Sequence, residues 1–352
     1  MIEARQLVSI LSMFLIVQFG GLLVAIYALG PLQAYVGMQV SAGNSVADAF
    51  YYLIYIVAGA VVILLMFRFL KSRTLFMLLE AFVVLLSTSL LLFIIITTAL
   101  PAANLYYIAA VSGLVAIALI AIKNRTSRLR NILAITSSMG VGIIIGLDGF
   151  AFAYAFMLLM VVYDYIAVFV TKHMQVLAQH ASSMNLALLV GSSEIEAIPS
   201  RYLARKDARE LGRDLRKQKI KDPVIKGLIQ DKVMPVISQV QLGSGDLAIP
   251  LMVAVSASVS FLSYFAGMMV AIGAACGMLY TMYLLKKYKT ALPAIPPLSA
   301  FINLSLGAMF IITDFAQPEL WAGFIILGVL TVLIITMKLR SMQSVRTTAK
   351  RL

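Results

Sequence analysis

Three acidic side chains fall inside long apolar runs of this chain: Glu80, Asp164 and Asp246. An ionisable group in hydrocarbon is costly unless it is neutral, paired or hydrated, so each is a functional candidate by default. Two carboxyls that face each other in a low dielectric cannot both ionise easily, and such a pair holds one proton between its members at neutral pH. That is the working state of an aspartic protease. The ionised member takes a proton from water, the protonated member donates to the scissile carbonyl oxygen, and the diol intermediate collapses with cleavage of the amide. Two intramembrane acids also suit a proton-coupled transporter or channel that uses them as a relay, and on the acids alone that reading is the stronger one.

The residues around the acids favour hydrolysis. Asp246 stands in Gln241-Leu-Gly-Ser-Gly-Asp-Leu-Ala-Ile-Pro250. Gly243 and Gly245 remove bulk beside the carboxyl, so an extended substrate backbone can approach closely. Pro250 deletes one helical hydrogen bond and frees the carbonyl of Asp246, which predicts an irregular helix at this point. Irregular backbone is tolerated at membrane depth only where protein or water satisfies it. Tyr163 precedes Asp164; its hydroxyl could order a water or touch substrate, with ordinary packing as the alternative. Leu292-Pro-Ala-Ile-Pro-Pro-Leu-Ser299 has three prolines in five residues. That density predicts an extended stretch over 293–297, whose partly unused backbone groups could pair with an unwound substrate strand.

The elements that must position these groups are membrane helices. Of the 352 residues, 62% are hydrophobic and only 12% charged, where a soluble domain carries about 25% charged residues. Ten apolar runs meet the roughly 20-residue length of a transmembrane helix. They lie at about 6–29, 47–70, 74–98, 103–122, 130–147, 150–171, 234–257, 259–285, 292–315 and 319–338. All 28 Lys and Arg then fall on one side of the map, at the N-terminus and after spans two, four, six, eight and ten. The opposite loops carry only Asp48, Asp148, Asp314 and Glu319. By the positive-inside rule the basic side is the cytoplasm, which predicts a multi-pass protein with both termini inside.

On this map span six runs inward from Gly149 and reaches Asp164 after about 21 Å, and span seven runs outward from Met234 and reaches Asp246 after about 18 Å. Both acids then lie at similar depth on adjacent antiparallel helices. Glu80 lies near the cytoplasmic end of span three, within reach of Arg73 or of local hydrogen bonds. No Lys or Arg inside a span is at hand to pair any of the three.

Four segments follow: 1–175 with spans one to six and Asp164; a basic cytoplasmic linker, 176–232; 233–340 with spans seven to ten and Asp246; and a basic tail, 341–352. Within the linker Ala204, Ala208, Leu211 and Leu215 recur at helical spacing. An amphipathic helix on the anionic inner leaflet and a solvated linker fit equally well. Interleaved Asp207, Glu210, Asp214, Asp222 and Asp231 argue against nucleic acid. One cysteine, Cys276, and two histidines, His173 and His180, predict no disulfide, metal site or cofactor. His173 and Trp321 suit the membrane interface. Gly142-Ile-Ile-Ile-Gly146 and Gly273-Ala-Ala-Cys-Gly277 predict close helix packing.

Tyr163-Asp164, Gly243-Ser244-Gly245-Asp246 and Pro293-Ala294-Ile295 together resemble the three motifs of the presenilin and signal peptide peptidase family of intramembrane aspartyl proteases, particularly its archaeal members. Tyr163-Asp-Tyr-Ile-Ala-Val-Phe-Val-Thr-Lys-His-Met174 extends the resemblance. It implies an all-α polytopic membrane protein, a nine-helix bundle with span ten added at the C-terminus. It also implies that Asp164 and Asp246 are the catalytic dyad, that Pro293, Ala294 and Ile295 gate substrate, and that no metal or cofactor takes part. The implied partners are single-span membrane protein or peptide substrates and lipid. Ile295 stands where the family has Leu, a volume-conserving change, and Ser244 where Leu is common.

Overall fold

The structure, a computed structural model, describes residues 4–27, 73–100, 103–123, 126–171, 189–199, 233–288, 292–313 and 318–349, with positions 51, 54 and 58. Nine helices and two strands occur among them. Helix α1 (Ala4–Leu15) runs into a π-helical turn (Ile16–Gly20) and stays helical to residue 27. Then come α2 (Arg73–Ala99), α3 (Leu105–Ile122), α4 (Ser127–Gly146) and α5 (Phe150–Tyr165), which ends in a second π-helical turn (Ile166–Val170). Strands β1 (Leu189–Pro199) and β2 (Val233–Gly243) precede α6 (Ser244–Ser260), α7 (Tyr264–Tyr288), α8 (Ile295–Ile312) and α9 (Pro318–Ala349).

The chain forms two units, one of Met1–Ile10 with Gly191–Gln241 and one of Leu11–Val190 with Leu242–Leu352. In the first, β1 pairs with β2 in a two-stranded sheet. The second is the helix bundle. Eight helices among the described residues are long and apolar enough to cross a membrane, and Ser244–Ser260 is a shorter apolar one. The result is an all-α polytopic membrane fold. Apart from positions 51, 54 and 58, the second predicted span lies outside the described residues, as do the predicted linker helix around 204–215, His173, His180 and the side chain of Trp321.

Local chemistry starts two of these helices. Asn104 caps α3 by accepting the Tyr106 N–H at 2.9 Å, and Thr126 caps α4 by accepting from Leu129, each satisfying a donor that the helix itself leaves open. The sequence reading places the start of span seven near Met234, and there the structure differs. Residues Val233–Gly243 are a strand, and the helix begins only at Ser244. Val233, Val236, Ile237 and Val240 are β-branched, Pro235 disfavours a helix interior, and Gly243 ends the run. Asp246 therefore sits in the first turn of its helix rather than some twelve residues along it.

Helix α6 is the centre of the bundle. Every residue from Leu247 to Val259 is buried, which is how a helix that is apolar on all faces must sit. Its neighbours come close because glycine faces it. A Cβ at Gly142 would stand 2.9 Å from the Ala248 carbonyl oxygen, and one at Gly146 would stand 2.8 Å from that of Met252. The second glycine pair does the same between α7 and α8, where a Cβ at Gly273 would lie 2.7 Å from the Phe301 carbonyl oxygen. Both small-xxx-small motifs thus lie at close helix contacts. Large apolar side chains such as Phe82, Leu86 and Leu90 on α2, and Ile326, Val329, Leu330 and Leu333 on α9, remain exposed on the outside, where a bilayer would cover them.

Glu80 also departs from expectation. Lys123, just beyond α3, donates to its Oε2 at 2.5 Å, with both groups buried. The sequence map places this cation in a loop, but the antiparallel α2–α3 hairpin returns it to the level of Glu80. Removing one partner of a buried pair leaves the other charge uncompensated, at a cost of about 3–5 kcal/mol. Lys123→Met is expected to lower stability by that order, read as a clear drop in the thermal midpoint, and Glu80→Leu/Lys123→Leu to recover most of the loss. A single variant that melts with the wild type would show that the pair contributes nothing.

Candidate active site

Asp164 lies near the end of α5 after about 21 Å of helix from Phe150, and its side chain is only 7% exposed. Its Oδ2 accepts the backbone N–H of Ile295 at 3.2 Å, and the N–H of Ala294 lies near the same carboxyl. These donors exist for a simple reason. The first turn of a helix leaves its N–H groups without intrahelical partners, but Pro296 and Pro297 have none to offer. Ala294 is the N-cap and Ile295 the first residue of α8, so theirs are the remaining donors of that turn, and Asp164 takes that of Ile295.

The sequence reading has 293–297 extended and its donors open for substrate. In the structure α8 starts at Ile295, with Pro296 and Pro297 inside its first turn. Proline is pre-organised for such positions. Only Pro293 and Ala294 precede the helix, and the Ile295 N–H serves the Asp164 carboxyl. Pro293, Ala294 and Ile295 are all buried.

Asp246 is held in a matching way. Gly243, extended at φ −68° and ψ 145°, is the N-cap of α6, and Asp246 is in its first turn. The carboxyl lies back against Gly243, where a Cβ would stand 3.4 Å from Oδ2, the place that the acidic member of a capping box takes. The positive end of the helix favours an acid at this place. Asp246 is half-buried, and its carboxyl is close enough to that of Asp164 for the two to interact electrostatically. The structure thus brings together Asp164, Asp246, Gly243, Ala294 and Ile295. Tyr163 is half-buried and near enough to feel the Asp164 charge.

The two glycines beside Asp246 differ. A Cβ at Gly243 would lie 3.4 Å from Asp246 Oδ2, an ordinary contact, whereas at Gly245 it would meet nothing within 4 Å. Gly245 is exposed and so opens space directly beside the carboxyl. Ser244 is fixed through its backbone, since its carbonyl accepts from Ser138 Oγ on α4 at 3.2 Å. One residue past Asp246, the carbonyl of Leu247 accepts from Gln18 Nε2 of α1 at 2.9 Å. Neither Gln18 nor Ser138 figures in the sequence reading. A fully buried amide in an otherwise apolar span was the available signal for Gln18; Ser138 gave none.

Residues 11–315 match the family model for signal-peptide peptidase and presenilin aspartyl protease. Two solved structures of a presenilin family intramembrane aspartate protease, in C222 and P2 space groups, are similar to this chain. The first shares 20% identity over 88% of this chain and 99% of its own, with a TM-score of 0.56, and the second 20% over 86% and 97%, with 0.53. At that identity the likeness is one of fold. No curated protein matches the chain. Helix α9 follows the family match.

Gly243 offers a test of how Asp246 is held. Gly243→Ala keeps the N–H and suits the backbone, so its thermal midpoint is expected to stay within a few degrees of wild type. Gly243→Pro suits the same φ but deletes the donor, and is expected to cost about 1–3 kcal/mol by leaving the carboxyl short of a partner. Equal melting of the two variants would show that the Gly243 N–H is no partner of the carboxyl.

Proposed function

The chain belongs to the signal-peptide peptidase and presenilin family of aspartyl proteases, and on that premise we propose that Asp164 and Asp246 are the catalytic pair of an endopeptidase that cuts within the membrane. The observation that supports this reading is that the two carboxyls lie within electrostatic range of each other, each at the start of a helix, with Asp164 accepting the Ile295 N–H. Their substrates are single-span membrane protein segments, and the surrounding lipid is part of the working environment.

In the resting pair one carboxyl is ionised and the other protonated, as like charges at close range require. A water between them gives a proton to the ionised member while its oxygen attacks the scissile carbonyl carbon, and the protonated member donates to the carbonyl oxygen. The resulting diol gives one hydroxyl proton back to the dyad. The amide nitrogen takes a proton from the dyad, the C–N bond breaks, and the products leave as a carboxylic acid and an amine. The dyad ends with the single proton it began with.

The neighbouring residues support roles in handling substrate. Gly245 leaves the space through which an extended backbone reaches Asp246, with Gly243 and Ser244 alongside. Pro293, Ala294 and Ile295 gate access because any movement of their turn also moves the donor on Asp164. Tyr163 flanks the site. No metal ligand or cofactor enters the scheme. The sidedness of the Lys and Arg supports a cell-membrane protein with both termini in the cytoplasm, and substrates whose N-termini lie outside.

Purified protein in vesicles is expected to cleave a membrane-embedded peptide, and Asp164→Asn and Asp246→Asn are each expected to lower the rate at least about 100-fold. Proton-coupled flux without proteolysis would instead support a carrier. Gly245→Val is expected to keep the wild-type melting point, because the added side chain starts into open space, while cleavage falls about tenfold or more as substrate is crowded. Full activity in Gly245→Val would remove Gly245 from the substrate path.

A further inference from the structure

Asp246 owes its position to the first turn of α6, and that turn is intrinsically weak. Pro250 has no N–H to close on the carbonyl of Asp246, and its ring crowds that carbonyl. The helix nevertheless runs unbroken through Pro250, from Ser244 to Ser260, and a proline inside a membrane helix is tolerated where neighbouring groups support the backbone around it. Two side chains from other helices bond to the backbone carbonyls that flank Asp246, one on each side of the acid. Ser138 on α4 donates to the carbonyl of Ser244, two residues before Asp246. Gln18 on α1 donates to the carbonyl of Leu247, one residue after it.

Gln18 is built into place for this. It is 0% exposed and lies in the π-helical turn Ile16–Gly20, where the widened turn buries both Val17 and Gln18. Such turns recur at functional sites. A Cβ at Gly21 would overlap Leu251 of α6, so α1 approaches α6 closely just beyond the amide. The Oε1 of Gln18 has no hydrogen-bond partner among the described residues. A buried amide with half its capacity unused is an expensive way to fill an apolar contact, which argues that the Nε2 bond is what the residue supplies. Ser138 is the weaker of the two, because its single hydroxyl proton is shared with the carbonyl of Ala134 at 2.7 Å.

We propose that Gln18 and Ser138 are positioning residues that clamp the first turn of α6 and so hold Asp246 opposite Asp164. They act through the backbone on both sides of the acid. The inference rests on the catalytic pair proposed above. It assigns to α1 and α4, which contribute no acid, a share of the active-site geometry.

The test uses the full chain in phosphatidylcholine–phosphatidylglycerol vesicles, with a fluorogenic peptide of transmembrane length that the wild type cleaves. Gln18→Met keeps the side-chain length and deletes the donor; Ser138→Ala loses one hydroxyl. A displaced Asp246 impairs the transition state rather than substrate docking. The expected kcat falls by about 10- to 100-fold in Gln18→Met and by about 2- to 5-fold in Ser138→Ala, with KM within about twofold. Affinity for a hydroxyethylene peptide isostere is expected to fall in parallel with kcat. Wild-type kcat and isostere affinity in both folded variants would overturn the proposal. Should Gln18→Met fail to fold, Ser138→Ala carries the same test alone. If Asp164→Asn or Asp246→Asn stays active, the catalytic pair itself fails. If those are inactive while Gln18→Met and Ser138→Ala cleave normally, only the positioning role fails.

Discussion

An acid in an apolar bundle needs hydrogen-bond donors, and a helix start is one of the few places where backbone donors stand unpaired. Asp164 accepts the N–H of Ile295 at the start of α8, with that of Ala294 nearby, and Asp246 lies against Gly243 at the start of its own helix. No cation is needed to hold either one. A Lys or Arg in that role would have locked the carboxylates as ions, whereas neutral amides leave a pair free to keep one proton between them. The prolines after Ile295 restrict the donors of that turn, so the geometry at Asp164 is set by which residues of α8 lack an N–H.

That arrangement requires α5, α6 and α8 to converge, and the packing is organised to allow it. Helix α6 is buried along Leu247–Val259 by small and aliphatic side chains, with Gly142 and Gly146 of α4 against its backbone. Helix α8 is drawn in by Gly273 and Gly277 of α7 and tied to α5 by Tyr154, whose hydroxyl donates to Asn303 Oδ1 at 2.7 Å. An aromatic group of Phe150, Phe261, Phe310 and Phe324 packs the end of α5 away from Asp164. Glu80 and Lys123 form a separate polar contact in the α2–α3 hairpin, where opposite charges neutralise each other.

Scarcity of charge made the acids legible in sequence: in runs where nearly every side chain is apolar, Asp164 and Asp246 stand out, and the glycines and prolines near them mark unusual backbone. The glycine pairs were legible for the same reason, since only a packing contact explains their spacing. The start of α6 was not. Val233–Gly243 is as apolar as the helix it precedes, and hydropathy does not separate a strand from a helix; the β-branched residues and Pro235 were the contrary signal. The donors of Ala294 and Ile295 were recognised as unspent, but the acceptor of the Ile295 N–H lies some 130 positions away in the chain and no local pattern points to it. The Glu80–Lys123 pair and the bonds from Gln18 and Ser138 are likewise products of tertiary contact.

The central claim is that Asp164 and Asp246 form one site on one reacting bond. An experimental structure of the full chain with a bound hydroxyethylene peptide isostere tests it most directly. The expected result is a single inhibitor whose hydroxyl lies within hydrogen-bonding distance of both carboxyls, with its backbone passing the open face at Gly245. An isostere bound away from the two acids, or in contact with only one of them, would contradict it.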